Sequence, residues 1–392
     1  MTPEHEFTTD RLDLDPHYGW LREHHPVSRI RLRGGADAWL VTRWEDARRV
    51  FADPVFSRAR AGGMPFGPQD RAPSIADMDP PEHTRVRRLA LTAFTHRRVR
   101  LMRPRVEQIV AGLLDGMAAH GAPADLVGHL ALPLPVTVIC ELLGVPAGDR
   151  DRFTSWSDAW LSVSAHTPEQ MAESGRQLDA YLGGLIAQRR EEPAGDLLSA
   201  LAHLPDDEGG GLSEAELLSL STTLLVAGYE TTAGQIANIT YTLLDQRHHW
   251  DRLVAEPDLL PAAIEELLRL LPLGATPGLP RVATADVELG GVKIRAGETV
   301  VVARTAASRD EEVFAQGDTL DFDRADNPHL AFGHGVHHCL GAHLARLELQ
   351  VALGALLARL PGLRLAVPKD ELRWKDGLAV RGLRQLPVTW PG

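Results

Sequence analysis

Between Phe332 and Arg346 the chain reads Phe-Gly-His-Gly-Val-His-His-Cys-Leu-Gly-Ala-His-Leu-Ala-Arg, a glycine-rich loop that delivers one cysteine, Cys339, to the start of an apolar helix. Unpaired backbone N–H groups and the positive end of the helix dipole meet there, an environment that favours a thiolate over a thiol. Gly333, Gly335 and Gly341 lack the Cβ that would hold a flat ligand away from the backbone. Phe332 is placed to shield the sulfur from water. A rival reading of the same stretch is a zinc cluster drawn from His334, His337, His338, Cys339 and His343. Against it, the spacing lacks the paired Cys-x-x-Cys element of common zinc sites.

The only other cysteine is Cys140, inside the apolar run Val138 to Leu143, where a buried and inert thiol is expected. Two cysteines are too few for a disulfide scaffold in 392 residues, and a reducing compartment keeps both as thiols. The acidic stretch Met1 to Pro16 holds only the isolated apolar residues Phe7, Leu12 and Leu14, so it reads as neither a signal peptide nor an anchor. No apolar run elsewhere approaches the roughly 20 residues of a membrane-spanning helix. A cytoplasmic location with no membrane partner is expected. The formal charge of −12 argues against a general nucleic-acid binder. That charge is uneven: residues 83 to 105 contain Arg85, Arg87, Arg88, Arg97, Arg98, Arg100, Arg103 and Arg105 and no acid. They form a solvated helical face or a docking patch for an acidic partner.

Periodicity predicts a mainly α chain with a minor β portion, β-rich within about 25–60, 280–305 and 362–392, in one domain over residues 1–392. Ala38 to Thr42 reads as a strand, Arg43 to Phe51 as a helix, and residues 57 to 78 as a long loop. Helices dominate from about 82 to 260, with breaks near 121–124, 133–135, 146 and 206–211. Val287 to Ile294 reads as a hairpin with a Gly-Gly turn, Thr299 to Val302 as a strand, and Leu340 to Leu360 as a last helix before a strand-rich tail. Ser213 and Glu216 form a capping box for a helix running to about Leu244. In its middle lies Ala227-Gly228-Tyr229-Glu230-Thr231-Thr232, a polar interruption containing a glycine that costs about 1 kcal/mol relative to Ala. Such a helix is expected to pass close to something.

In these segments the chain resembles the cytochrome P450 family. Phe-Gly-x-Gly-x-His-x-Cys-x-Gly at 332–341 matches that family's heme-binding signature, Glu266-Leu267-Leu268-Arg269 its structural Glu-x-x-Arg lock, and Ala227-Gly228-x-Glu230-Thr231-Thr232 its oxygen-activating groove. The resemblance runs from about Trp39 to Trp390, with every main motif in order. One departure is Ser308-Arg309-Asp310, where relatives usually carry Asn-Arg-Asp; little effect is expected. The resemblance implies heme b (iron protoporphyrin IX) with Cys339 as the iron ligand, and with Phe332, Gly333 and Gly341 beside it. It implies His83, Arg87, Arg281 and His337 as holders of the heme propionates, and Glu230 and Thr231 as the proton-delivering pair for dioxygen. Met64, Trp160, Val226, Ala227, Thr276 and Leu378 are the implied pocket walls, a mostly apolar set. The implied reaction is monooxygenation, by C–H hydroxylation or epoxidation, of a hydrophobic secondary metabolite such as a macrolide, another polyketide or a peptide. Electrons would come from a ferredoxin and its reductase, with Arg346 joining the arginine-rich face. Oxidative aryl coupling, desaturation and a heme-based sensor are the alternatives.

Overall fold

The computed structural model describes Phe7 and residues 10–32, 35–63, 73–92, 94–204 and 211–391. Its organising element is the helix Glu214–Asp245, about 48 Å long at 1.5 Å per residue. The expected capping box starts it: Ser213 Oγ accepts from Glu216 N at 3.2 Å, and the Glu216 carboxylate accepts from Ser213 N at 2.8 Å. Helices Pro133–Leu143, Pro168–Glu191, Arg247–Ala255 and Ala342–Arg359 pack around it. A helix enclosed on so many sides must satisfy its own polar side chains. Ser221, Thr223, Thr240 and Thr242 do so by donating to carbonyls four residues back.

The β portion lies to one side. Strands β1 (Val27–Arg31), β2 (Asp37–Val41), β3 (Phe56–Ser57), β5 (Arg281–Ala283) and β8 (Thr299–Val302) form a five-stranded sheet in the order β1-β2-β8-β5-β3. The remaining strands are β4 (Ala124–Asp125), the hairpin β6 (Val287–Leu289) and β7 (Val292–Ile294), β9 (Arg364–Leu365) and β10 (Pro387–Thr389). The hairpin turns on Gly290 and Gly291, both at positive φ, as their sequence demands. The tail carries less strand than expected: β9 and β10 hold five residues between them, joined by isolated bridges such as Gly274 to Val380. Pro368 and Pro387 remove ladder donors there, and Gly377 and Gly382 weaken what is left. The break expected at 133–135 is instead a π-turn, Val127–Ala131, leading straight into the helix that opens at Pro133. Cys140 is fully buried in that helix.

Glu266 and Arg269, on the helix Leu260–Leu270, tie the sheet side to the segment leading to Cys339. Their carboxylate and guanidinium pair doubly at 2.7 Å, and Arg269 also donates to the carbonyls of Ser308, Gly317 and Thr319. Glu266 accepts further bonds from Asp321 N, Arg324 Nε and Asn327 Nδ2. Ser308, the departure from the family pattern, belongs to this knot: its hydroxyl accepts from Leu330 N at 3.0 Å.

Candidate active site

Cys339 opens onto a cavity of about 400 Å³ between the glycine-rich loop, the central helix and the inner end of the five-stranded sheet. Cys339 is exposed and lines this cavity. The loop owes its shape to glycine. Gly333 and Gly335 have φ of +73° and +68°, and a Cβ on Gly335 would stand 2.6 Å from the Phe51 carbonyl oxygen. Cys339 N donates to Phe332 O at 2.8 Å, closing the turn, and the Phe332 ring carries the Arg346 guanidinium at 4.3 Å. Burial pushes the Cys339 thiol up, outweighing the Gly341 N–H and the cations Arg304, Arg87 and Arg346, which pull it down. The Gly341 N–H and the cations act in the direction the sequence led one to expect; the opposing desolvation is invisible in a local motif.

The facing wall is the central helix, where Thr223, Ala227, Thr231 and Gln235 follow one another at four-residue steps along the cavity. Thr231 Oγ1 donates to Ala227 O at 2.9 Å. The glycine in this stretch serves helix packing: a Cβ on Gly228 would come within 2.9 Å of Ile139 Cδ1. Glu230 lies about 100° around the helix from Thr231 and points away from the cavity. It is buried, and Lys375 Nζ donates to Glu230 Oε1, while Oε2 has no partner among the described residues. Burial raises the Glu230 carboxyl above its ordinary range, against the pull of Lys375.

Positive charge collects at the sheet end of the cavity. His83 and Arg87 project one turn apart from the helix Glu82–Leu91, Arg281 opens β5, and His337 lies 4.2 Å from His83, ring centroid to ring centroid. Neither His83 nitrogen has a partner among the described residues, although both are buried. Arg87 donates to His338 O, and Arg281 stacks over the Phe51 ring at 4.7 Å without an ion pair among the described residues. Burial, with Arg58 and Arg304 close by, pulls Arg281 down to about 9; burial and the neighbouring cations take His337 to about 3.

Of the expected residues, the fold brings Cys339, Phe332, Gly333, Gly341, His83, Arg87, Arg281, His337, Thr231 and Ala227 to this one cavity. Trp160, Val226, Thr276 and Leu378 do not line it, and Met64 lies outside the described residues. Val226 is turned off it by the same helical rotation as Glu230. Trp160 and Leu378 are buried instead, Leu378 in a bridge to Ser162. Arg346 is also withdrawn from the exposed basic face, because Glu265 grips it with two 2.7 Å bonds. Sequence reasoning missed Arg304, Gln235, Glu348 and Lys375. Of these only Arg304 left a signal, a cation directly after the apolar strand β8.

A flat, doubly anionic ring with a metal at its centre fits this site. The cavity offers a sulfur, unpaired cations and two orphaned imidazole nitrogens at one end. A Cβ on Gly341 would meet no atom within 4 Å, leaving open space beside the sulfur. A zinc cluster does not fit: among the described residues no three His, Cys, Asp or Glu side chains are grouped to hold a metal ion.

Comparison with known proteins agrees. The family model for cytochrome P450 matches residues 20–376. The chain is 52% identical over 384 residues to nocardicin C N-oxygenase of Nocardia uniformis subsp. tsuyamanensis, covering 97% of this chain and 96% of that protein. It is 51% identical over 382 residues to mycinamicin IV hydroxylase/epoxidase of Micromonospora griseorubida, again covering 97% and 96%. Among solved structures, the mixed-function P450 MycG superposes with a TM-score of 0.91 at 50% identity over 100% of both chains. Cytochrome P450mel 107F1, which has biaryl coupling reactivity, superposes at 0.93 with 42% identity over 98% of both. No described helix is long and apolar enough to cross a membrane. With a cysteine-bearing loop facing a cation-ringed cavity, a matching family model and relatives of this identity over nearly its whole length, the chain belongs to the cytochrome P450 family of monooxygenases.

Proposed function

We propose that this enzyme inserts one oxygen atom of O2 into a mainly hydrophobic secondary metabolite such as a macrolide, another polyketide or a peptide, by C–H hydroxylation or epoxidation. The observation that carries the reading is Cys339 opening onto a cavity with cations at one end and apolar side chains such as Ile139, Leu224, Leu271 and Leu273 in its walls. The names of the two relatives, an N-oxygenase of nocardicin C and a hydroxylase/epoxidase of mycinamicin IV, support the substrate class. Oxidative aryl coupling is the second reading, favoured by the likeness to P450mel.

The cofactor in this reading is heme b, ligated by Cys339. When bound it supplies the activation of dioxygen, which the electron-donating thiolate promotes. His83, Arg87, Arg281 and His337 would hold its propionates, Arg bidentately. Phe332, Gly333 and Gly341 would shape the space around the sulfur. Glu230 is the proton carrier: burial raises its affinity for a proton, the direction that suits a general acid. Because Glu230 lies off the cavity, the proton passes through water to Thr231. With its own proton given to Ala227 O, the Thr231 hydroxyl keeps its lone pairs available as an acceptor toward the cavity. Ala227 and the neighbouring apolar side chains bind the substrate and exclude water. Electrons come from a ferredoxin served by its reductase, in the cytoplasm. Supporting that partner, Arg88, Arg97, Arg98 and Arg100 are exposed and form no ion pair among the described residues.

The test is spectroscopic. The reduced, carbon-monoxide-treated protein should show the red-shifted Soret band of thiolate ligation, and Cys339→Ser should lose it; a wild-type spectrum without that band would end the reading. Screening hydrophobic secondary metabolites for a low-to-high-spin shift then identifies the substrate class.

A further inference from the structure

Arg304 opens the short helix Arg304–Ala307 directly after β8, and its side chain lines the cavity. Its contacts are few for a cation set this deep. Nη1 donates to Ala331 O at 3.3 Å, and no carboxylate pairs with it among the described residues. Nη2 reaches toward Gly274, where an added Cβ would stand 3.9 Å away. The residual exposure of the side chain opens onto the cavity. Burial lowers its affinity for a proton, with only the Cys339 sulfur acting in the other direction.

An unpaired cation removed from water is costly unless an anion meets it. Other cations of this wall have their use. Arg58 is taken up by Asp77 and by the carbonyls of Ala76 and Pro280. Arg87 and Arg281 supply two positive charges for the two propionates of a heme, and the His83 and His337 rings lie together in the same cavity. Arg304 is one charge more than that cofactor requires.

We propose that Arg304 is a carboxylate-binding residue of this cavity, so that the enzyme selects hydrophobic substrates that carry an acid group. This rests on the heme reading of the site and deepens it. The same chemistry has a second source in a heme propionate, and the charge arithmetic favours the substrate. The probes are ω-(imidazol-1-yl)alkanoic acids of graded chain length and their primary amides. The imidazole anchors each on the iron of the heme-loaded enzyme, and the chain carries the acid or amide outward. Wild type and Arg304→Gln must first show the thiolate-type carbon monoxide band, which separates failure of the heme reading from failure of this one.

At the best-fitting length, wild type should bind the acid about ten- to a hundredfold more tightly than the amide, the range for a charge-assisted hydrogen bond. Arg304→Gln should bring that ratio to about one, and Arg304→Lys should keep part of it, because an ammonium retains the charge without the fork. A wild-type ratio near one at every length, together with several-fold faster loss of heme from Arg304→Gln to apomyoglobin, assigns the carboxylate to a propionate. A ratio near one at every length with unchanged heme loss overturns the proposal.

Discussion

Two groups of buried charges lie on either side of the segment that leads to Cys339, and they are treated in opposite ways. Behind it, Glu266 and Arg269 are almost completely enclosed, and every nitrogen of Arg269 has an acceptor inside the protein. In front of it, Arg281, Arg304 and His83 have few or no partners. The first group is closed on itself and fixes the architecture. The second is left open toward a cavity, an arrangement a fold sustains only where something else brings the missing charge. A buried cation therefore reads as structure or as receptor according to its partners, not its depth.

This contrast can be broken at several points. The largest effect is expected from Arg269→Ala, which takes the doubly bonded partner from Glu266, leaving Arg324 as its cation, and strips three carbonyls of their donor. It should cost about 3–5 kcal/mol, read as the loss of the urea unfolding midpoint or of soluble folded protein. A variant with wild-type stability would show that the closed group does not hold the fold. Next comes Glu230→Gln. If Glu230 carries the proton, turnover should fall by roughly a hundredfold with substrate affinity little changed, as measured by steady-state kinetics beside a spin-shift titration. A smaller effect follows from Arg281→Gln in the open group. The heme-free protein should keep or gain stability, because an uncompensated charge is removed, while heme transfer to apomyoglobin should quicken about tenfold, the equivalent of about 1.4 kcal/mol. Equal destabilisation of Arg281→Gln and Arg269→Ala would erase the distinction.

The closed side also predicts an acid response. Burial alone would raise the Glu265 carboxyl, but hydrogen bonds from His329 and Arg346 outweigh it and hold it at about 2. Between the ordinary value of 4.5 and about 2 the unfolded chain binds more protons at this site than the folded one. Its contribution is therefore complete above pH 4.5 and is lost as the pH falls through that window. Urea midpoints measured across it should fall less steeply in Glu265→Gln than in wild type. The smallest structural effect belongs to the exposed arginines. Charge reversal at Arg88 and Arg97 should leave stability within about 0.5 kcal/mol while slowing reduction by an acidic ferredoxin severalfold at low salt. An unchanged reduction rate would remove that face as the docking site.

The elements most legible in the sequence were those whose cause is local. The Ser213 and Glu216 box, the Gly290-Gly291 turn and the i,i+3 pair of Glu266 with Arg269 each need only a few consecutive residues, and each appears where its spacing put it. That His83, Arg281 and His337 share one cavity was anticipated only through a family pattern, since they meet across most of the chain. Trp160, Val226, Thr276 and Leu378 were assigned to the cavity by family position, and they are not among the residues that line it. For Val226 the reason is one residue of helical rotation, which a motif does not encode.

By itself the sequence determined that one sulfur would be delivered by a flexible glycine loop to a helix start, facing a helix with a polar break in its middle. Those outcomes depend on backbone sterics and on hydrogen bonds a few residues long. Tertiary structure alone decided which charges far apart in the sequence would be neutralised. Lys375 finds Glu230 across 145 residues, Glu265 takes Arg346 out of the basic face, and Arg304 is left without a carboxylate among the described residues. The reason is physical: the strength of an ion pair and the cost of desolvation depend on what the folded chain brings within a few ångströms, and neither distance nor dielectric is written along a sequence.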